Sequence, residues 1–201
     1  MAESESTRWE AIVLAAGAGR RFGGRKLVAA FEGRPLIAGA LDAAFAAPVR
    51  GVILATDGDS ELVQIARDRV RVLGRAEDLR VIVVEDAAEG MGASLRAAAR
   101  ALPDDAAGVF VFLGDMPRIP RAVPKALALA MEEPTDLAAP CFEGRRGHPV
   151  LFGNAYFGAL RALSGDVGAQ GLVAGAGPRL KLIDSPDAGI MFDVDRPKDL
   201  V

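Results

Sequence analysis

The stretch AIVLAAGAGRRFGGRKLVAAF, Ala11–Phe31, decides how the rest of the chain is read. An apolar run stops at a glycine cluster, and Arg20, Arg21, Arg25 and Lys26 follow within a few residues. A short apolar run bounded by glycine reads as a strand buried on both faces. Glycines directly after it let backbone N–H groups approach a ligand closely, and successive N–H groups form a nest for an anion. The cations suit a ligand with several negative charges, such as a triphosphate. A glycine turn with solvated basic side chains explains the local pattern equally well.

Working outward, three more runs repeat the first: GVILAT, RVIVVE and GVFVFLGD, each close to Gly or Asp. They too read as strands buried on both faces. Between them, PLIAGALDAAFAA, SELVQIARDRVRVL and SLRAAARAL carry apolar residues at three- and four-residue spacing, and Pro35 is expected to open the first helix. Alternating strand and helix predicts an α/β fold of three layers, Rossmann-like, with a mostly parallel sheet flanked by helices. Ligands of such sheets bind beyond the carboxyl ends of the strands. After Pro140 the texture changes. CFEGRRGHPVLF carries a glycine-basic turn, NAYFGALRAL and AQGLVAGA look helical, and RLKLID and GIMFDVD look extended. Without a long flexible linker before it, this part reads as an elaboration of one domain over 1–201, with residues 1–9 as a flexible N-terminal extension.

Composition narrows the classes. With 201 residues, 51% hydrophobic and 25% charged, the chain has enough apolar material for one sizeable core. A net charge of -3 and only 5% aromatics argue against a nucleic-acid partner. The single cysteine, Cys141, suits a reducing compartment. Met1–Glu10 lacks the basic and apolar regions of a signal peptide, and no apolar run approaches the ~18 residues of a membrane span. A soluble cytoplasmic protein is the expectation.

The glycine loop fits neither common phosphate motif. In G-x-G-x-x-G the third glycine would come one residue earlier, and Lys26 is followed by Leu27 where a P-loop has Ser or Thr. Downstream, FLGDMP puts Asp115 at the end of the fourth strand, at the mouth of the expected crevice. A carboxylate there suits Mg²⁺, a hard cation held by one or two carboxylates plus substrate phosphates. In FDVDRPKDL an extended backbone would point Asp193 and Asp195 to one side, and Asp199 falls in the first turn of a helix after Pro197. Gly90 and Gly92 in AEGMGASLRAA permit close backbone approach, and Ser94 is placed to cap the helix it enters.

LAAGAGRRFGGRK resembles the L-A-A-G-x-G-x-R-[MF]-G-x-x-K signature of nucleotidyltransferases that move a nucleoside monophosphate from an NTP to an acceptor. The resemblance implies that Arg21 and Lys26 neutralise the phosphates and departing pyrophosphate, and that the backbone of Leu14, Ala15, Ala16, Gly17 and Gly19 cradles base and ribose. Arg20 and Arg25 fall on variable positions and are expected to be solvated. FDVDRPKDL is similar to the family's C-terminal [DN]-x-[DN]-x-P-x-D, which implies that Asp193 and Asp195 complete a Mg²⁺ site with Asp115.

Two further segments resemble the molybdenum cofactor cytidylyltransferase (MobA-like NTP transferase) branch. GMGASL implies that Gly90, Met91 and Ser94 select the base, and RGHPV implies that Arg146 and His148 face a molybdopterin-type acceptor. SGDVGAQGL resembles the branch's G-D-x-G-A-R-x-L, placing Asp166 on the acceptor side, but Gln170 replaces the arginine. The function implied is Mg²⁺-dependent transfer of CMP from CTP to molybdopterin cofactor. Guanylyl transfer, sugar-phosphate nucleotidyl transfer, and a non-catalytic maturation partner of a molybdenum hydroxylase remain open, with a nicotinamide-dependent oxidoreductase as a weaker option.

Overall fold

β1 (Trp9–Ala15) runs through the middle of the sheet because every residue from Ala11 to Ala15 is buried, which only a strand with neighbours on both edges and helices on both faces achieves. The computed structural model describes residues 8–17, 19, 22–165 and 168–200. The other strands are β2 (Ala30–Phe31), β3 (Arg34–Pro35), β4 (Val49–Thr56), β5 (Leu79–Val83), β6 (Gly108–Leu113), β7 (Leu137–Phe142), β8 (Arg145–Arg146), β9 (Val150–Gly153) and β10 (Leu180–Asp184). The helices are α1 (Ile37–Ala46), α2 (Ser60–Val72), α3 (Met91–Arg100), α4 (Ala122–Ala130), α5 (Phe157–Arg161) and α6 (Gln170–Ala174).

The main sheet has the order β10-β7-β9-β6-β1-β4-β5, with β8 paired to β7. β6, β1, β4 and β5 are mutually parallel, as are β7 and β10, while β9 runs antiparallel to both of its neighbours. Alternation along β1 divides two apolar layers. Ala11, Val13 and Ala15 pack with α1, α2 and α4, whereas Ile12 and Leu14 pack with α3, α5 and α6. The α/β architecture read from the sequence, a mostly parallel sheet flanked by helices, is the one observed. The segment after Pro140 adds β8, β9 and β10 to this same sheet.

Several local expectations are corrected. Pro35 does not open α1; it pairs with Ala30 in a two-stranded ribbon, and the helix starts at Ile37. The ribbon turns at Glu32 and Gly33, both at positive φ, the backbone that a two-residue hairpin requires. β5 is not buried on both faces, because it is the sheet's edge, and Val83 is exposed. GIMFDVD is not a strand: Ala188–Met191 forms a 3-10 turn. The expected flexible extension of residues 1–9 overreaches at its end. Trp9 belongs to β1 and stacks edge-to-face on Phe110, and the Arg8 carbonyl accepts the Ala107 N–H at 2.8 Å; residues 1–7 lie outside the described residues. Among the described residues, no helix is long and apolar enough to cross a membrane.

Candidate active site

The chain leaves β1 toward β4 and β5 on one side, then returns to β6 on the other, so the strand order reverses between β1 and β6. A crevice forms beyond the strand ends at such a reversal. The two strands hand over side by side. The Gly114 N–H donates to the Leu14 carbonyl at 2.9 Å, and a Cβ on Gly114 would sit only 2.9 Å from that oxygen. Glycine is therefore needed for Asp115 to emerge next to the first loop. α1 holds that turn from behind, where a Cβ on Gly39 would lie 2.3 Å from the Pro117 carbonyl oxygen.

Lys26 heads a 3-10 turn anchored by buried Leu27. Its ammonium donates to Asp115 Oδ2 at 2.7 Å and stands 3.7 Å from Asp195 Oδ1. Asp195 arrives on the C-terminal segment, docked where the Val194 N–H donates to the Asp115 carbonyl at 3.1 Å and Val194 is fully buried. Asp199 lies in the 3-10 turn after Asp195, and its carboxylate accepts the N–H groups of Asp195 (3.1 Å) and Arg196 (2.8 Å). Those two donors hold the Asp199 carboxyl below its ordinary range. The Asp193 carboxyl is shifted the other way, by partial burial first and then by the facing charges of Asp115 and Asp195.

Lys26, Asp115 and Asp195 border a cleft of about 500 Å³ lined also by Leu14, Ala16, Gly17, Gly19 and Leu113 on the sheet side, and by Ala87, Ala88, Gly90, Met91 and Ser94 from the turn into α3; Asp193 and Asp199 do not line it. Among the described residues, no three His, Cys, Asp or Glu side chains converge as a ready-made metal cage. Two carboxylates already sharing one ammonium do suit a hard divalent cation whose other ligands come from a phosphate substrate.

Residues 11–181 match the MobA-like NTP transferase domain. The chain belongs to that family. A curated relative, the purine catabolism protein PucB of Bacillus subtilis (strain 168), is 25% identical over 193 residues, covering 94% of this chain and 92% of that protein. Among solved structures, Rv0371c of Mycobacterium tuberculosis H37Rv is 28% identical with a TM-score of 0.79, covering 96% of each chain. The Rv0371c complex with manganese is 27% identical with a TM-score of 0.76, again covering 96% of each. A nucleotidyl transferase of Methanothermobacter, 18% identical with a TM-score of 0.74 over 95% of this chain and 93% of that one, shares the fold.

In this MobA-like nucleotidyltransferase the other sequence expectations fall as follows. Arg21 and Asp166 lie outside the described residues, as does Arg20. Ala15 does not line the cleft; its side chain packs in the layer under α1. The N–H groups of Phe22, Gly23 and Gly24 all turn onto the Gly19 carbonyl at 2.9–3.2 Å, so these amides face inward and not toward an anion. Arg25 is not simply solvated, since it pairs with Asp59 at 3.3 Å and with Glu61, at the start of α2. Ser94 is not a cap. It lies inside α3, buried, with its hydroxyl 3.5 Å from the Gly90 carbonyl, while Gly90 at φ 114 occupies the cap. Gly92 faces the chain itself: a Cβ there would lie 2.5 Å from the Gly165 carbonyl oxygen.

Arg146 is exposed on β8, opposite Cys141, and neither it nor His148 lines the cleft. The His148 N–H donates to the Ile190 carbonyl at 2.8 Å, and its Nδ1 is buried without a partner. Burial lowers its pKa, helped by Arg146 and opposed by the Val111 carbonyl and Asp115. The sequence reading missed the cleft residues Ala87, Ala88 and Leu113. Only their positions just past β5 and at the end of β6 could have flagged them, because none carries a reactive group.

Proposed function

We propose that this transferase moves CMP from CTP to a molybdopterin-type acceptor in the cytoplasm, releasing pyrophosphate with Mg²⁺ as cofactor. The observation that carries the reading is the Lys26 ammonium shared by Asp115 and Asp195 at the rim of the cleft. Lys26 is well placed to exchange its carboxylate partners for the β- and γ-phosphates, and Arg21 is assigned the same work from its place in the loop motif. Asp115 and Asp195, with Asp193 beside them, are the residues that would hold the metal. The bound ion would supply charge withdrawal from the phosphates. No protein nucleophile is required, since positioning and charge neutralisation are the main needs of phosphate transfer. Gly17 and Gly19 leave room for the nucleotide, Gly90, Met91 and Ser94 border its base, and Arg146, His148 and Asp166 are assigned to the anionic acceptor.

Three further facts support the reading: the branch-specific segments GMGASL and RGHPV, the manganese complex of the mycobacterial relative, and the purine catabolism named for PucB, which suits a role alongside molybdenum enzymes. The test is to incubate the purified protein with each NTP, Mg²⁺ and molybdenum cofactor and measure pyrophosphate. CTP- and cofactor-dependent release is expected. A preference for GTP or for a sugar phosphate removes the cytidylyl assignment, and nucleotide binding without release in any combination points to a maturation partner instead.

A further inference from the structure

The turn that walls the cleft before α3 has little to keep it rigid. Ala87 and Gly90 are half-buried, Ala88, Glu89 and Met91 exposed. Its internal bonds are the Glu89 N–H to the Asp86 carbonyl at 2.9 Å and the Gly90 N–H to the Ala87 carbonyl at 3.2 Å. Two turn bonds do not fix a wall against an incoming ligand. One side chain does more. Arg96, one turn into α3 and only 16% exposed, donates to the carboxylates of Asp86 and, at 3.3 Å, Glu89, and to the Leu163 carbonyl at 2.7 Å. Asp86 directly precedes the wall and Glu89 lies within it, so one guanidinium ties the turn to α3 at two points. The same helix is tied to the segment after α5 by the Gly92 N–H, which donates to the Gly165 carbonyl at 2.9 Å.

We propose that Arg96 is a positioning residue for the base end of the nucleotide: its three-way fork holds the Ala87–Met91 wall against α3 and thereby sets which base the cleft accepts. This rests on the reading of the cleft as an NTP site. An arginine is required because a planar guanidinium presents several donors at fixed angles, enough for two carboxylates and a carbonyl together. A lysine keeps the charge but not the fork. Were Arg96 only a surface ion-pair network, its loss would barely move the melting temperature and would leave ligand preference alone.

The experiment compares wild type, Arg96→Lys and Arg96→Met by calorimetric titration with CTP, GTP and tripolyphosphate in Mg²⁺, with thermal melts alongside. For both variants, CTP affinity should fall about tenfold and the CTP-to-GTP preference should shrink, the scale of one lost set of charge-assisted hydrogen bonds. Tripolyphosphate, which touches only the phosphate end, should stay within about twofold. Equal losses for CTP and tripolyphosphate, or an unchanged preference in a folded variant, overturn the proposal; if Arg96→Met does not fold, Arg96→Lys carries the comparison. A wild type that binds none of the three ligands sinks the nucleotide reading itself, an outcome distinct from failure at Arg96.

Discussion

Replacing Lys26 by methionine should move two affinities in opposite directions. The ammonium donates to Asp115 at 2.7 Å, with the lysine side chain 12% and the aspartate 25% exposed. A hydrogen bond between charged partners contributes about 1.5–3 kcal/mol, and the partial exposure of Asp115 places this one near 1.5 kcal/mol, about tenfold in a binding constant. A divalent ion reaching Asp115 and Asp195 has to displace that ammonium. Lys26→Met, which keeps the unbranched stem and removes the charge, should therefore bind Mn²⁺ about tenfold more tightly in the absence of nucleotide. The same change should weaken CTP binding by roughly 10- to 100-fold, because the phosphates lose their cation. Free Mn²⁺ is counted by electron paramagnetic resonance, CTP binding is followed by calorimetry, and a circular-dichroism melt confirms the fold. If the folded variant binds Mn²⁺ no better than wild type, Lys26 does not compete for these carboxylates, and the shared cation site is refuted.

Asp115→Asn should cut pyrophosphate release by about 10³-fold, the several kcal/mol of charge stabilisation a metal ligand gives, with little change in melting temperature; a near-normal rate would exclude Asp115 as a ligand. Gly39→Ala should cost about 1–3 kcal/mol in urea denaturation, since its methyl would overlap the Pro117 carbonyl, and should weaken Mn²⁺ binding by shifting the Asp115 turn. Full stability would show that α1 can give way there. The Asp193 carboxyl is raised in the folded state by partial burial and by Asp115 and Asp195. Such a group costs stability as pH rises from its unfolded value through its folded one, and costs nothing below both. Asp193→Asn should thus be more stable than wild type at pH 7, by less than about 1 kcal/mol for so exposed a group, and equal to it at pH 3. A variant less stable at pH 7 would contradict the sign.

Much of the fold was legible because its elements announce themselves locally. The buried runs at β1, β4 and β6 lie within two residues of where their apolar stretches place them. Other local signals were present but unread. The tetrapeptide Phe-Glu-Gly-Arg occurs twice, at 31–34 and 142–145, and folds both times into a two-residue hairpin with Glu and Gly at positive φ. That displaced Pro35 from the helix it was expected to open. Ser94 misled for the opposite reason. A serine before an apolar run suits a cap, yet the helix starts earlier, at Met91, because Gly90 supplies the φ that the entry needs.

By itself, the sequence picked out the candidate groups: a glycine loop ending at Lys26, an acid at the end of the fourth apolar run, and a pair of acids near the C-terminus. Local propensity and alternation settle these, since they depend on neighbours within a few residues. Only the tertiary structure decided that the groups meet. Lys26 and Asp115 are 89 residues apart and come together because β6 returns to pair with β1, aligning Leu14 with Leu113, while β5 is left at the edge. Asp195 joins them through one backbone hydrogen bond from Val194 to Asp115. Strand order and docking of this kind are set by the pairing and burial of distant segments, which no local pattern in the chain encodes.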